Sequence, residues 1–491
     1  VYAPAVKKMA INGPSLLPGV IPSDYSRGHP LFFHFLCGLW IRCFGNSNIA
    51  LHSFPLLITV VFLIALYEGC RRMFNAKVAT LALLLVTTQA IFFVQASFVE
   101  LEMMVALLTF LALYFYAYDK LLLTSLMLAM LFLTKEAGLV FGLVIGLHAM
   151  IVLFDKKQPL SRRLLRVFAV GVSVVPVALF FVLQKAREGW YLLPLHNSLI
   201  NTDWDHMYFM FRECLHWIFE SGNPTKLLWA FIIALSAVPA IKHKNIRYLF
   251  LCLPAAIVWI LTNKEITGAT GDVVWVVLFG LFFIAGCYGL LHLNKKLDEH
   301  AKRFIILLSL GFVAYLCFSS LSVLTFRYLL VEIVLLLIFL AVCIDMFITA
   351  SAHALYPISI VGILLVGVCA YNADSGNDDT DLEAFHAMKV QKAVVAYLEK
   401  ENAYDKEVTM GCFWETVHLI DTTQGFLSSG RVFTKINWDT AGANTDYAVF
   451  DNVCSSSTYE RMVQNPAFHL AYRIKDGRTW SEVYKRQTPA P

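Results

Sequence analysis

Charge is what this chain is short of. Only 15% of its 491 residues are Asp, Glu, Lys or Arg, against roughly one quarter in soluble domains. With 58% hydrophobic residues and a mean hydropathy of +0.65, that scarcity excludes an ordinary soluble enzyme and leaves a polytopic membrane protein carrying some soluble mass. The net charge of +4 is too small for a nucleic-acid footprint, so no nucleic-acid partner is expected. Sequence motifs of soluble catalysis are also missing. There is no Walker A loop, GxGxxG, HExxH or GxSxG, so nucleotide hydrolysis and the common hydrolase chemistries have no support. The eleven cysteines show neither CxxC spacing nor paired histidines, which argues against a zinc or redox framework. No ligand spacing marks a metal site. The acidic residues expected at the outer face leave room for a divalent metal ion without specifying one.

What the chain has instead is apolar runs. A helix needs about 20 apolar residues to cross a bilayer. Runs of near that length lie at 49–70, 78–96, 100–117, 121–134, 137–154, 167–185, 226–241, 247–262, 271–292, 304–323, 327–348 and 354–371, which predicts about twelve crossings. Alternate connections collect the cations (Arg71, Arg72 and Lys77; Lys120; Lys156, Lys157, Arg162, Arg163 and Arg166; Lys242, Lys244 and Arg247; Lys295, Lys296, Lys302 and Arg303), whereas the opposite connections hold little beyond Lys135, Lys264 and Arg327. By the positive-inside rule the first set is cytoplasmic. Residues 1–48 and 372–491 then lie on the far side, the periplasm of a bacterial inner membrane. A chain starting there implies a preceding signal-anchor helix, a thirteenth crossing.

Three segments follow from this division: 1–48 as an outer loop with interface helices, 49–371 as the transmembrane domain, and 372–491 as a soluble outer domain. The stretch 186–225 reads as an outer loop rich in Trp, His and Asp. Beyond the linker Asn372–Asp379, the pattern predicts a helix over 382–402 and strands over 408–414 and 447–451. A helix over 457–465 follows, and strands 468–474 and 479–485 pair across Asp476-Gly477. Cys412 and Cys454 are placed to pair in an oxidising compartment. The fold class is therefore mainly α, a helical membrane protein with a small C-terminal α/β domain.

The candidate chemistry gathers at the outer face. Pro22–Gly45 sets Asp24, Tyr25, Arg27, Gly28 and His29 ahead of an aromatic run broken by His34, Arg42 and Cys43, which suits a helix lying in the interface. Its polar end is placed to handle the charged end of a lipid; an ordinary re-entrant segment is the alternative. Glu100 and Glu102 open the next outer turn and point to different sides of a helix. They orient a substrate hydroxyl, a metal or a phosphate-binding Arg, or else complement a helix dipole. Lys135, between Thr134 and Glu136, is a point charge for a phosphate oxygen or an interface anchor. Arg327, beside Tyr328, offers bidentate phosphate recognition. Lys264 and Glu265 read as a surface ion pair, and Glu332 and Asp345 as helix residues pairing with neighbours.

These segments, in this order, resemble a known family. GHPLFFHFLCGLWIRCFG, the RRMFNAKVATLALLLVTTQAIFFVQASFVELEMMVALLTF pair, LFLTKEAGLV and FRYLLVE are similar to successive regions of the membrane-embedded GT-C glycosyltransferases of the protein mannosyltransferase and aminoarabinose transferase type. The likeness is good over about residues 1–170 and loose over 171–370. It implies transfer of a sugar, with inversion, from a polyprenyl-phosphate carrier to a lipid (such as lipid A), glycan or protein acceptor at the noncytoplasmic face. It also implies roles. Arg27, His29, Lys135, Arg327 and Tyr328 bind the donor phosphate, with His29 standing where the family often has Lys. Glu102 falls on the second acidic position. The first acidic motif would precede Val1, leaving Asp24 as its in-chain substitute. Tyr25, Glu100 and Glu136 are further candidates. A transporter or flippase of lipid-linked sugars is the competing class; it would favour inverted repeats and midplane charges, which the sequence does not show.

Overall fold

The computed structural model describes residues 2–219, 297–321, 325–351, 355–371, 379–438, 445–454, 456 and 458–487. The runs expected at 226–241, 247–262 and 271–292, the pair Lys264 and Glu265, the cations Lys242, Lys244, Arg247, Lys295 and Lys296, and the linker 372–378 lie outside the described residues. The chain divides into two compact units, Val1–Ala373 and Asp374–Pro491.

In the first unit the helices run α1 (Ala3–Asn12), α2 (Ser23–Ser26), α3 (Phe32–Phe44), α4 (Asn48–Met73), α5 (Ala76–Thr87), α6 (Ala90–Gln95), α7 (Glu102–Ala117), α8 (Leu121–Thr134), α9 (Leu139–Leu153), α10 (Leu160–Glu188), α11 (Pro194–Leu199), α12 (Trp204–Phe219), α13 (Glu299–Ser319), α14 (Leu330–Ser351) and α15 (Leu355–Tyr371). Among the described residues, Asn48–Met73, Glu136–Leu153, Leu160–Glu188, Glu299–Ser319 and Phe326–Asp345 are long and apolar enough to cross a membrane. The boundaries have local causes. Ser47 Oγ accepts from Ala50 N at 3.1 Å, Asn75 Oδ1 from Val78 N at 2.9 Å and Asp298 Oδ1 from Ala301 N at 2.7 Å, so three helices begin on side-chain caps. Between α8 and the 3-10 turn Glu136–Gly138, Lys135 is extended (φ −156°, ψ 134°), which turns the chain back and leaves its side chain at the helix end.

Helix α7 is the centre of the unit. Nearly every side chain from Glu102 to Ala117 is buried, because α4, α8 and α14 pack around it. Its 16 residues rise about 24 Å, with a polar cluster at each end: Glu102 at the first, Asp119 just past the second. A helix apolar all round belongs in such a position.

Two expectations for this unit change. The run 78–96 is two helices, because Thr88 and Gln89 interrupt it; their side chains donate to Leu85 O, each at 3.0 Å. The stretch 186–225 is helical over Pro194–Leu199 and Trp204–Phe219. In α12, Met210, Cys214, Leu215, Trp217 and Ile218 are buried, a helical spacing masked in the sequence by the interleaved polar residues.

In the second unit a five-stranded sheet has the order β2-β1-β3-β5-β4, with β1 (Glu407–Met410), β2 (Lys435–Trp438), β3 (Tyr447–Asp451), β4 (Phe468–Asp476) and β5 (Thr479–Arg486). β1 is parallel to β2 and β3, whereas β5 is antiparallel to β3 and β4. Helix α16 (Glu383–Lys400) packs on β4 and β5 through Val390, Val394, Val395 and Leu398. Cys412 and Cys454 are disulfide-bonded. The strand expected over 408–414 ends at Met410. Gly411 N donates to Val449 O at 2.8 Å, the backbone turns at Cys412, and Phe413–Ile420 forms helix α17. The last helix is shortened to α18 (Tyr459–Val463), and Thr458 makes no side-chain cap for it. Strand β2 was not expected: Lys435 and Trp438 are exposed, and four residues on a half-exposed edge leave little pattern.

A buried carboxyl pair gives this unit a testable pH dependence. Glu415 is 4% exposed at the start of α17; burial, with Asp451 beside it, raises its pKa well above the ordinary value, and Gln391 Nε2 donates to its Oε1 at 2.6 Å. A carboxyl whose folded pKa is raised costs stability progressively as pH climbs from the unfolded value of about 4.3 toward the folded one. The unit is expected to be more stable at pH 5 than at pH 8. Glu415→Gln should flatten that dependence and raise the melting temperature at pH 8, read by calorimetry at both pH values.

Candidate active site

The first turn of α7, the end of α8 and the turn before α14 converge on one polar cluster. Glu102 is 2% exposed and Lys135 5%. Lys135 Nζ donates to Glu102 Oε1 at 3.0 Å and lies 3.4 Å from the centre of the Tyr328 ring. Arg327 Nε approaches the same Oε1 at 3.8 Å, with its guanidinium 5.4 Å from the Tyr328 ring. One carboxylate oxygen therefore serves two cations, and an aromatic face fixes both. Glu102 Oε2 is buried and has no hydrogen-bond partner among the described residues. A buried acceptor is rarely left unmatched, so this oxygen is the natural place for an incoming donor.

Next to it, across Lys135–Glu136, lies a second polar group. His29 is 4% exposed, and its Nδ1 sits 2.9 Å and 2.8 Å from the two oxygens of Glu136. The His196 ring lies 5.1 Å from the His29 ring, and partial desolvation, followed by the influence of His29, lowers the pKa of His196. This approach depends on a glycine. Gly28 has φ +71°, and a Cβ there would lie 2.9 Å from Leu193 Cβ. Only glycine allows the chain to turn here while the segment leading to His196 comes this close.

The other residues singled out from the sequence are placed as follows. Glu100 is buried two residues before Glu102. Arg27 is half-buried and ends α2 in the left-handed region (φ 52°). Tyr25 carries Lys8 Nζ over its ring at 3.8 Å. Asp24 is exposed, and no hydrogen bond or ion pair joins it to Glu102, Lys135 or Arg327. Glu332 accepts from Ser319 Oγ at 3.3 Å, and Asp345 from Asn75 Nδ2 at 2.9 Å. No sequence pattern pointed to Tyr2, at 2% exposure with its ring 6.2 Å from His29 and 5.1 Å from His34, or to His196 as a neighbour of His29.

Three solved structures are similar over most of the chain. ArnT from Cupriavidus metallidurans, bound to undecaprenyl phosphate, is 15% identical with a TM-score of 0.43, covering 98% of this chain and 92% of that one. Its apo form is 14% identical with the same score and coverage. The archaeal oligosaccharyltransferase AglB from Archaeoglobus fulgidus, in complex with an inhibitory peptide and a dolichol-phosphate, is 13% identical with a TM-score of 0.46, covering 92% of this chain and 65% of that one. No curated protein matches the chain. The stretch from 28 to 184 contains His29, Glu102, Lys135 and Glu136, and it is this stretch that matches the family of dolichyl-phosphate-mannose-protein mannosyltransferases.

Proposed function

We infer that this protein is an inverting glycosyltransferase that moves a sugar from a polyprenyl-phosphate carrier to a lipid, glycan or protein acceptor. The reaction takes place at the outer face of a bacterial inner membrane. The observation that carries the reading is Glu102, buried with Oε1 held by Lys135 and Arg327 and Oε2 open.

The chemistry follows from that arrangement. In the transition state the bond between the anomeric carbon and the carrier phosphate breaks, and negative charge grows on the phosphate. Two cations fixed in a low-dielectric site stabilise that charge more than the ground state. Lys135 supplies a point charge, and Arg327 a planar fork. An acceptor hydroxyl donating to Glu102 Oε2 is oriented for attack from the opposite side and loses its proton to a carboxylate as the new bond forms. The carrier's isoprenoid tail takes the apolar surface between helices. Asp24 is exposed and Arg27 half-buried at the end of α2. The family match over residues 28–184 supports the same class of reaction.

The test is sugar transfer in membranes supplied with a polyprenyl-phosphate sugar. Glu102→Gln keeps the shape and removes the charge, and Arg327→Ala removes one cation. Each is expected to lower transfer by about 10²-fold or more, with the melting temperature in detergent followed alongside. Unchanged transfer in both variants removes this site. Movement of the lipid-linked sugar between leaflets with no transfer would instead support a flippase.

A further inference from the structure

We propose that His29, Glu136 and His196 form a binding site for a divalent cation of the zinc class. Each residue offers one ligand atom, and the three atoms lie within 4.8 Å of one another. The donor set, two imidazole nitrogens and one carboxylate oxygen, suits zinc; magnesium and calcium favour all-oxygen sets. The ligands come from three separate parts of the chain: the turn after α2, the 3-10 turn Glu136–Gly138, and α11.

Bonds of about 2.0–2.1 Å in a tetrahedral site put ligand atoms about 3.3 Å apart. His29 Nδ1 and Glu136 Oε2, at 2.8 Å, are already near that separation. Closing the wider side, up to 4.8 Å, takes a movement of about 1.5 Å by ligand side chains. His196 can supply it, because α11 buries none of its residues and no core packing opposes the shift. The same fact gives the ion a structural task. With nothing buried to hold it, α11 is fixed against the α2–α3 turn by the metal bond. One carboxylate and two neutral imidazoles leave the bound ion a net positive charge, and its fourth position is open to water or an anionic oxygen.

The test reads bound metal rather than activity. The full chain, purified in nanodiscs and stripped with a chelator, is dialysed against zinc alone; bound metal is then measured by mass spectrometry, and amide exchange over residues 190–203 is followed. About one zinc per chain is expected, with exchange in α11 slowed when zinc is present. His196→Ala and Glu136→Gln should each weaken binding by about 100-fold or more. His196 is on a helix without buried residues, so its variant is expected to keep the fold, checked by melting in the absence of metal. Zinc that stays far below one per chain overturns the proposal. So does stoichiometric zinc whose affinity is unchanged in a folded His196→Ala protein.

Discussion

Lys135→Ala is expected to destabilise the first unit by about 3–5 kcal/mol, the loss typical when one member of a buried ion pair is removed. Lys135 and Glu102 are both almost fully buried, and their 3.0 Å contact is the closest charge compensation Glu102 has. Arg327, at 3.8 Å, neutralises only part of what remains. The loss is not what the pair contributes relative to apolar residues, because much of it comes from leaving a carboxylate stranded in a low dielectric. The double variant Glu102→Gln with Lys135→Met tests that distinction. Removing both charges should recover most of the stability while sugar transfer stays abolished. Unfolding in mixed micelles, followed by tryptophan fluorescence, reads the first quantity, and the membrane assay reads the second. A Lys135→Ala protein within about 1 kcal/mol of the parent would mean that water reaches Glu102.

At the other end of α7, Asp119→Ala is expected to cost about as much, again about 3–5 kcal/mol. Asp119 Oδ1 accepts from Arg166 Nη2 at 2.6 Å and Nε at 3.0 Å, and from Arg303 Nη1 at 2.9 Å; Oδ2 accepts from Arg162 at 3.2 Å. Arg166 is 1% exposed, so its guanidinium would be left buried with only Gln158 Oε1 at 2.8 Å. The backbone adds a second cost, since Asp119 has φ +56°, a conformation that Asp and Asn tolerate better than Ala. Asp119→Asn keeps the backbone preference and an acceptor oxygen, and should lose about half as much. Burial alone would raise the Asp119 pKa, but Arg166 and Arg303 together lower it below the ordinary carboxylate value. Its contribution is therefore complete above about pH 4 and lost as pH falls through the lowered value. An acid titration of stability should show that loss in the parent and not in Asp119→Asn.

These two clusters mark where reading the sequence worked and where it stopped. Hydropathy placed α4, α7, α8, α9, α13, α14 and α15 to within a few residues, because a helix in a bilayer must satisfy its backbone internally and keep an apolar surface. It joined α5 to α6, because Thr88 and Gln89 are short polar interruptions whose cost is met by hydrogen bonds to the preceding turn. In the second unit the β4–β5 hairpin was legible from Asp476-Gly477, and the Cys412–Cys454 bond from compartment and composition. β2 and α17 were not, because four and eight residues carry too little period.

The sequence by itself determined that this is a helical membrane protein with a small α/β domain, and that its scarce charges collect at the ends of apolar runs. It could name Glu102, Lys135 and Arg327, because a charge beside a membrane helix is expensive and therefore conspicuous. Only the tertiary structure decided which charges meet. Lys135 faces Glu102 while its neighbour Glu136 faces His29, because an extended residue between two helices sends adjacent side chains to opposite sides. His29, Glu136 and His196 come together only through folding, since Gly28 lets a distant segment approach within contact distance. Periodicity along a chain records which face of a helix is apolar. Contacts across more than a hundred residues depend on how whole helices pack, which no local pattern encodes.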